Sequence, residues 1–182
     1  RRTNRGAQIL MMRRRLTLLR HGHAEVSAPG GDVDRALDNI GRAEVTSAAA
    51  ALALFEKPTR LIVSSARRTR ETAAILVQTL ALQSAQIEYL SELYLASAAT
   101  LQRVIEMQPD DHTQLCLIGH NPGLSDFVLE ALPAGSQREA YRGLTTAAWA
   151  SWASTAASWR AFAPDASYTI AQSISPDNAR AI

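Results

Sequence analysis

The stretch Leu16-Thr17-Leu18-Leu19-Arg20-His21-Gly22-His23 joins a short apolar run to a cation and two imidazoles. An apolar run of this length, closed by a turn signal, reads as a buried strand. Gly22, just past its end, lets the backbone turn sharply and approach a ligand closely. Arg20 and His21 therefore stand at the mouth of a strand, where open α/β sheets bind their ligands. A guanidinium meets phosphate with two parallel hydrogen bonds, and a neutral imidazole is a competent nucleophile. The tetrapeptide points to phosphate chemistry, and the other groups such chemistry needs must come from elsewhere in the chain.

Downstream, strand-like runs alternate with amphipathic helical patterns. A polar loop, Ser27 to Leu37, leads to Asp38, a fitting N-cap for a helix with Val45, Ala48, Ala49 and Leu52 on one face. Leu61-Ile62-Val63 reads as the second strand. A helix from about Arg67 to Leu82 buries Ala73, Leu76, Val77 and Leu80. Ile87 to Leu90 reads as a short strand. A further helix carries Leu101, Val104 and Ile105 and stops before Pro109. Leu115-Cys116-Leu117-Ile118 is the best central strand, ended by Gly119. A short helix from Pro122 follows, with Leu124, Phe127, Val128 and Ala131 on one face. Ala147 to Trp152 and Tyr168 to Ser173 read as two last strands, joined by a loop holding Trp159 and Pro164. This alternation predicts an α/β fold, a three-layer α/β/α sandwich with a mainly parallel central sheet.

A chain of 182 residues is most simply one domain, large enough to bury roughly 70% of its unfolded surface. Residues 1–15 hold six arginines and no acid, which leaves 13 basic against 17 acidic residues in the rest. The pI near 9.0 thus reflects a basic tail and is a poor argument for nucleic-acid binding. Residues 1–14 are expected to form a basic, disordered extension, and 15–182 a single domain. No apolar run reaches 18 residues, so no transmembrane helix is expected. The single cysteine, Cys116, falls in a buried strand as a small hydrophobe, and the cytoplasm is the default location.

Three strand ends share their chemistry: Leu19-Arg20-His21-Gly22, Val63-Ser64-Ser65-Ala66-Arg67-Arg68-Thr69 and Ile118-Gly119-His120-Asn121-Pro122. Each puts a cation or imidazole at a carboxyl end, and two run into helix starts, whose backbone amides favour an anion. If the three strands are neighbours, two arginines and two histidines converge on one pocket. Such a pocket suits a dianionic phosphoryl group.

The order and spacing of these pieces resemble the histidine phosphatase superfamily, with its phosphoglycerate-mutase-like fold. The resemblance rests on Arg20-His21-Gly22, on Ser64 through Thr72 with Arg68 in the pocket-arginine place, and on Gly119-His120-Asn121-Pro122. It covers about residues 15–132 and, more loosely, Trp159 and Ser175-Pro176. The short form, with no inserted cap, looks most like the SixA-type phosphohistidine phosphatases. The resemblance implies that His21 attacks phosphorus in line and becomes a transient phosphohistidine. It implies that Arg20, Arg68 and His120 bind the phosphate and neutralise its equatorial oxygens. It implies no cofactor and no metal, because these groups supply the positive charge. It implies as partner a phosphohistidine protein or a small phosphorylated substrate, and neither nucleic acid nor membrane is expected.

Two departures stand out. Ser65 replaces the usual proline of the second motif, which loosens a turn but removes no functional group. In the broader family a Glu protonates the leaving group, and Glu92 is the nearest candidate here. SixA-type members do without such an acid, since an imidazole leaves more readily than an alkoxide.

Competing readings have their own signatures. His21-x-His23 also opens metal-dependent (β/α)₈ hydrolases, but those need about 250 residues and further ligands. His23 is read instead as a pocket-rim or structural residue, and His112 as solvated. Trp149, Trp152 and Trp159 are read as core. Arg67 and Arg70 compete with Arg68 for the pocket place, and register favours Arg68. The function expected is phosphoryl hydrolysis through His21, acting on protein phosphohistidine. The alternatives are a small phosphate-monoester phosphatase and a non-catalytic phosphate-binding module.

Overall fold

The computed structural model describes residues 13–55, 57–82, 87–163 and 168–171. Residues 1–12, Pro164, Ser173 and Ser175-Pro176 lie outside the described residues. Six strands, β1 (Arg14–Arg20), β2 (Arg60–Ser64), β3 (Ile87–Leu90), β4 (Gln114–Gly119), β5 (Trp149–Ser154) and β6 (Tyr168–Ala171), form one sheet in the order β3-β2-β4-β1-β5-β6. β1 to β4 run parallel, while β5 and β6 are antiparallel to their neighbours. Helices α1 (Asn39–Leu52) and α2 (Arg67–Leu80) cover one face, and α3 (Ala98–Glu106) and α4 (Gly123–Ala131) the other. This is the three-layer α/β/α sandwich expected from the sequence.

Each central strand sends alternate side chains to opposite faces. Leu16, Leu18, Ile62, Leu115 and Leu117 join the core under α3 and α4. Leu19, Leu61, Val63, Cys116 and Ile118 join the core under α1 and α2. Both faces are covered, so these strands read as continuous apolar runs rather than alternating ones. The helices supply the matching stripes, Val45, Ala48, Ala49 and Leu52 on α1 and Ala73, Leu76 and Leu80 on α2. Asp38 caps α1 as expected, its carboxylate accepting from Gly41 N at 2.8 Å. All three tryptophans are core, Trp152 and Trp159 on one face and Trp149 on the other.

The boundaries differ where charge or turn geometry overrides composition. β1 begins at Arg14, a residue the sequence reading gives to the basic extension. Its guanidinium donates to the carbonyls of Ala156, Ala157 and Asp110 at 3.1, 2.6 and 3.0 Å and lies over the Trp159 ring. A buried cation with every contact to a carbonyl, a carboxylate or a ring face is part of the core's edge, not a tail. β5 runs two residues later than expected, because Ala147 takes a positive φ of 53° and turns the chain into the sheet. α2 stops at Leu80, where Ala81 adopts the left-handed conformation that closes a helix. The short helix α5 (Ser136–Ala140) had no sequence signal that singled it out.

At the end of β1 the chain passes very close to α1. A Cβ on Gly22 would meet Gly41 O at 2.6 Å, and one on Gly41 would meet His23 O at 1.9 Å. Two facing glycines thus let the residues after β1 press against the start of α1, which sets where His21 stands.

Candidate active site

The sheet order places β2, β4 and β1 side by side, with Arg20 opposite Gly119 and Val63 opposite Ile118. The three strand ends singled out in the sequence therefore open on the same edge. Arg20, His21, Arg68 and His120 line one cavity of about 350 Å³ there. Asp32, Arg35, Tyr94, Leu95 and Asn121 complete its wall. The His21 and His120 rings lie 5.2 Å apart between centroids.

The hydrogen bonds assign the protons. His21 Nδ1 lies 2.7 Å from Gly22 O. A carbonyl only accepts, so Nδ1 carries the hydrogen and Nε2 keeps its lone pair. Arg68 Nε, which can only donate, faces that lone pair at 3.3 Å. Arg68 Nη2 likewise faces His120 Nδ1 at 3.2 Å, so the hydrogen of His120 sits on Nε2, which lies 2.8 Å from Ser64 Oγ. Arg68 is buried on the same helix face as Thr72, one turn on, whose hydroxyl donates to Arg68 O at 2.8 Å. Arg67 and Arg70 point elsewhere. Arg67 pairs with Glu71, and Arg70 covers the Tyr89 ring.

Arg20 reaches across the pocket floor, Nη1 donating to Leu144 O at 2.8 Å. Its buried Nε meets no protein acceptor among the described residues. Asn121 Nδ2 donates to the same carbonyl at 2.8 Å, so residue 144 fixes both side chains.

Two other residues from the sequence reading stand apart. His23 turns its half-exposed ring to Asp38, Nδ1 to Oδ2 at 2.5 Å, outside the cavity of His21. Among the described residues no three His, Cys, Asp or Glu side chains converge on a metal-sized site. Glu92 pairs with Arg103 at 2.6 Å and lines a different cavity. The single 3₁₀ turn Ser91–Leu93 explains this, since it buries Leu93 and leads Tyr94 toward the pocket, leaving Glu92 outward. Sequence reasoning missed Asp32, Arg35 and Tyr94. Only the Gly- and Asp-rich composition of the 27–37 loop hinted at a ligand-facing segment.

Burial dominates the titration of both histidines. It pushes the His21 pKa down to about 3, with His120, Arg68 and Arg20 adding repulsion against the hydrogen bond to Gly22. It pushes His120 down to about 4, again with Arg68 opposing a second positive charge. Both imidazoles are therefore neutral at pH 7. In the unfolded chain they protonate as pH falls through about 6.5. Between there and pH 4 the unfolded state binds protons that the folded state refuses, so stability falls on acidification at a rate approaching about two protons per molecule. Denaturant midpoints measured from pH 7.5 to 4.5 are expected to drop more steeply for the native chain than for His21→Gln. Equal slopes would show that His21 is not held neutral by the fold.

A parallel-sheet edge that gathers two guanidiniums and two neutral imidazoles defines an α/β enzyme that handles phosphoryl groups. The chain belongs to the histidine phosphatase superfamily, branch 1, which its sequence matches over residues 16–121, and it is a phosphatase. The protein described as the phosphohistidine phosphatase SixA of Agrobacterium tumefaciens is 31% identical, with a TM-score of 0.67 over 76% of this chain and 90% of that one. A protein histidine phosphatase SixA solved with tungstate is similar in fold, at 24% identity and a TM-score of 0.65 over 91% of this chain and 99% of that one. A mycobacterial glucosyl-3-phosphoglycerate phosphatase also shares the fold, at 16% identity and a TM-score of 0.59 over 87% of this chain and 97% of that one. A search of curated proteins finds no match. Among the described residues no helix is long and apolar enough to cross a membrane.

Proposed function

We propose that this phosphatase removes phosphoryl groups from phosphohistidine in proteins, through a transient phosphohistidine on His21. The observation that carries the reading is that the carboxylate lining the pocket, Asp32, is held as a hydrogen-bond acceptor. Asp32 is the only carboxylate among the described residues lining the cavity. Hydrogen bonds from Tyr94, Arg35 and Arg68 hold it well below the usual carboxylate range, so it has no proton to give. Glu92 is engaged elsewhere. A phosphate ester would have to release an alkoxide unaided, whereas a phosphorylated imidazole whose other nitrogen carries a proton releases a neutral ring. The similarity to the Agrobacterium SixA supports the same substrate class.

In this reading His21 Nε2 attacks phosphorus while Nδ1–H stays on Gly22 O. Arg68 turns its donors from the two imidazole lone pairs to the phosphoryl oxygens, and the guanidinium of Arg20, which also lines the cavity, adds positive charge beside them. His120 Nδ1 faces the same group, and the nearby dianion favours its protonation. Positive charge is thus placed where the loose transition state spreads its negative charge. Water then attacks the phosphorylated His21, the P–N bond breaks with its electron pair returning to Nε2, and inorganic phosphate leaves carrying both protons of that water.

The test compares hydrolysis of a phosphohistidine-bearing protein with a panel of phosphate monoesters. A higher kcat/KM on the phosphohistidine protein is expected. A clear preference for esters would overturn the reading in favour of a small-molecule monoester phosphatase.

A further inference from the structure

The reaction above leaves the carboxylate of Asp32 without a task. It sits in the 3₁₀ turn Asp32–Asp34, at the solvent side of the cavity, 45% exposed where Arg68 is 3% exposed. Its Oδ2 accepts from the Tyr94 hydroxyl at 2.5 Å and from Arg68 Nη2 at 3.0 Å, and its Oδ1 accepts from Arg35 Nη1 at 2.8 Å. In-line attack from the buried His21 drives the leaving group away from His21, toward the solvent side that Asp32 borders. A carboxylate has about four acceptor positions. Three are used here, and the one facing Arg68 is freed when that guanidinium turns to the phosphoryl oxygens.

We propose that Asp32 selects the leaving group: its carboxylate accepts a hydrogen bond from the N–H of a departing imidazole and repels a departing alkoxide. The inference rests on the phosphohistidine reading. A phosphorylated ring leaves as neutral imidazole only when its other nitrogen carries a proton, and a carboxylate against that N–H favours the protonated ring. The His21 Nε2 lone pair forms the new P–N bond. The old P–N bond breaks, and its electron pair returns to the departing ring nitrogen. That ring keeps its other N–H and leaves neutral, while the positive charge passes to His21, whose Nδ1–H remains on Gly22 O. An ester would instead gather negative charge on its oxygen beside an ionised carboxylate, which costs rate.

The test uses the full chain with two probes, N-phosphoimidazole and p-nitrophenyl phosphate. It reads the ratio of their kcat/KM values, so the intrinsic reactivity of each probe cancels between variants. Asp32→Asn is expected to lower the N–P to O–P ratio by roughly tenfold, the scale of one hydrogen bond to a charged group. Asp32→Ser, a second neutral variant, is expected to behave alike, and Asp32→Glu to recover part of the ratio. Equal slowing of both probes in Asn and Ser would overturn the inference, because it would make Asp32 a support for Arg68 or for the fold. An unchanged ratio would overturn it as well. In either case the phosphohistidine reading survives if the native enzyme still prefers the phosphohistidine protein over esters. The reverse preference sinks that reading instead, and this inference with it.

Discussion

His21→Ala will lower kcat on any phosphorylated substrate by about 10⁴-fold or more, the scale of removing a covalent nucleophile. The expectation follows from where the lone pair is. Gly22 O holds the hydrogen on Nδ1, and burial keeps the ring neutral, with a pKa of about 3, so Nε2 is an unprotonated nucleophile across the working pH range. His120 also turns an unprotonated Nδ1 into the cavity, but its ring lies 5.2 Å from that of His21, so a phosphorus atom in line with His21 Nε2 is out of line for His120. Arg20, Arg68 and His120 would still bind phosphate, so the variant should retain affinity for inorganic phosphate while losing turnover. Enzyme incubated with a radiolabelled phosphohistidine protein and quenched in alkaline detergent will carry alkali-stable, acid-labile label in the native chain and none in the variant. Activity of the variant within tenfold of the native enzyme would remove His21 from the nucleophile's role. A native enzyme no faster than the variant would leave only a phosphate-binding module.

Much of this site was legible because its parts sit where strands end. The apolar runs of β1, β2 and β4 are continuous since both sheet faces are covered, and each is followed at once by its cation or imidazole. Strand neighbourhood, which no single motif contains, decides whether those ends meet, and the observed order β2-β4-β1 brings them together. Arg68 is singled out over Arg67 and Arg70 by its place in the second motif, and the helix sets it on the face of Thr72 and Leu76, both buried. What escaped notice lies outside regular periodicity. Asp32 and Arg35 belong to a loop whose course depends on tertiary pairing, as in the bridge between Ala24 and Leu37. Tyr94 follows a one-turn 3₁₀ segment, too short to show a face in the sequence. Glu92 misled for the same reason: a motif position gives nearness along the chain, while a single turn decides which of Glu92 and Tyr94 looks into the pocket.

Arg68→Lys will lower kcat/KM by about 10²–10³-fold, as loss of a preorganised donor to a developing oxyanion does. The substitution keeps the charge, so the loss measures geometry. Arg68 spreads its donors over four acceptors: Nε to His21 Nε2, Nη1 to Asp32 O at 2.6 Å, and Nη2 to Asp32 Oδ2 and His120 Nδ1. The contact to Asp32 O anchors one arm while the others stay free to turn to the phosphoryl group. An ammonium is a single point of donors on a flexible stem and cannot both hold the loop and reach two oxygens. Arg67→Ala and Arg70→Ala, which remove exposed side chains directed to Glu71 and Tyr89, should change kcat/KM by no more than about threefold, as surface substitutions do. The contrast among three arginines on one helix turn separates a positioned fork from mere positive charge. If Arg68→Lys turned over substrate like the native enzyme, charge alone would suffice and the fork would have no part in the transition state. If Arg67→Ala or Arg70→Ala caused the larger loss, the helix register that places Arg68 in the pocket would be wrong.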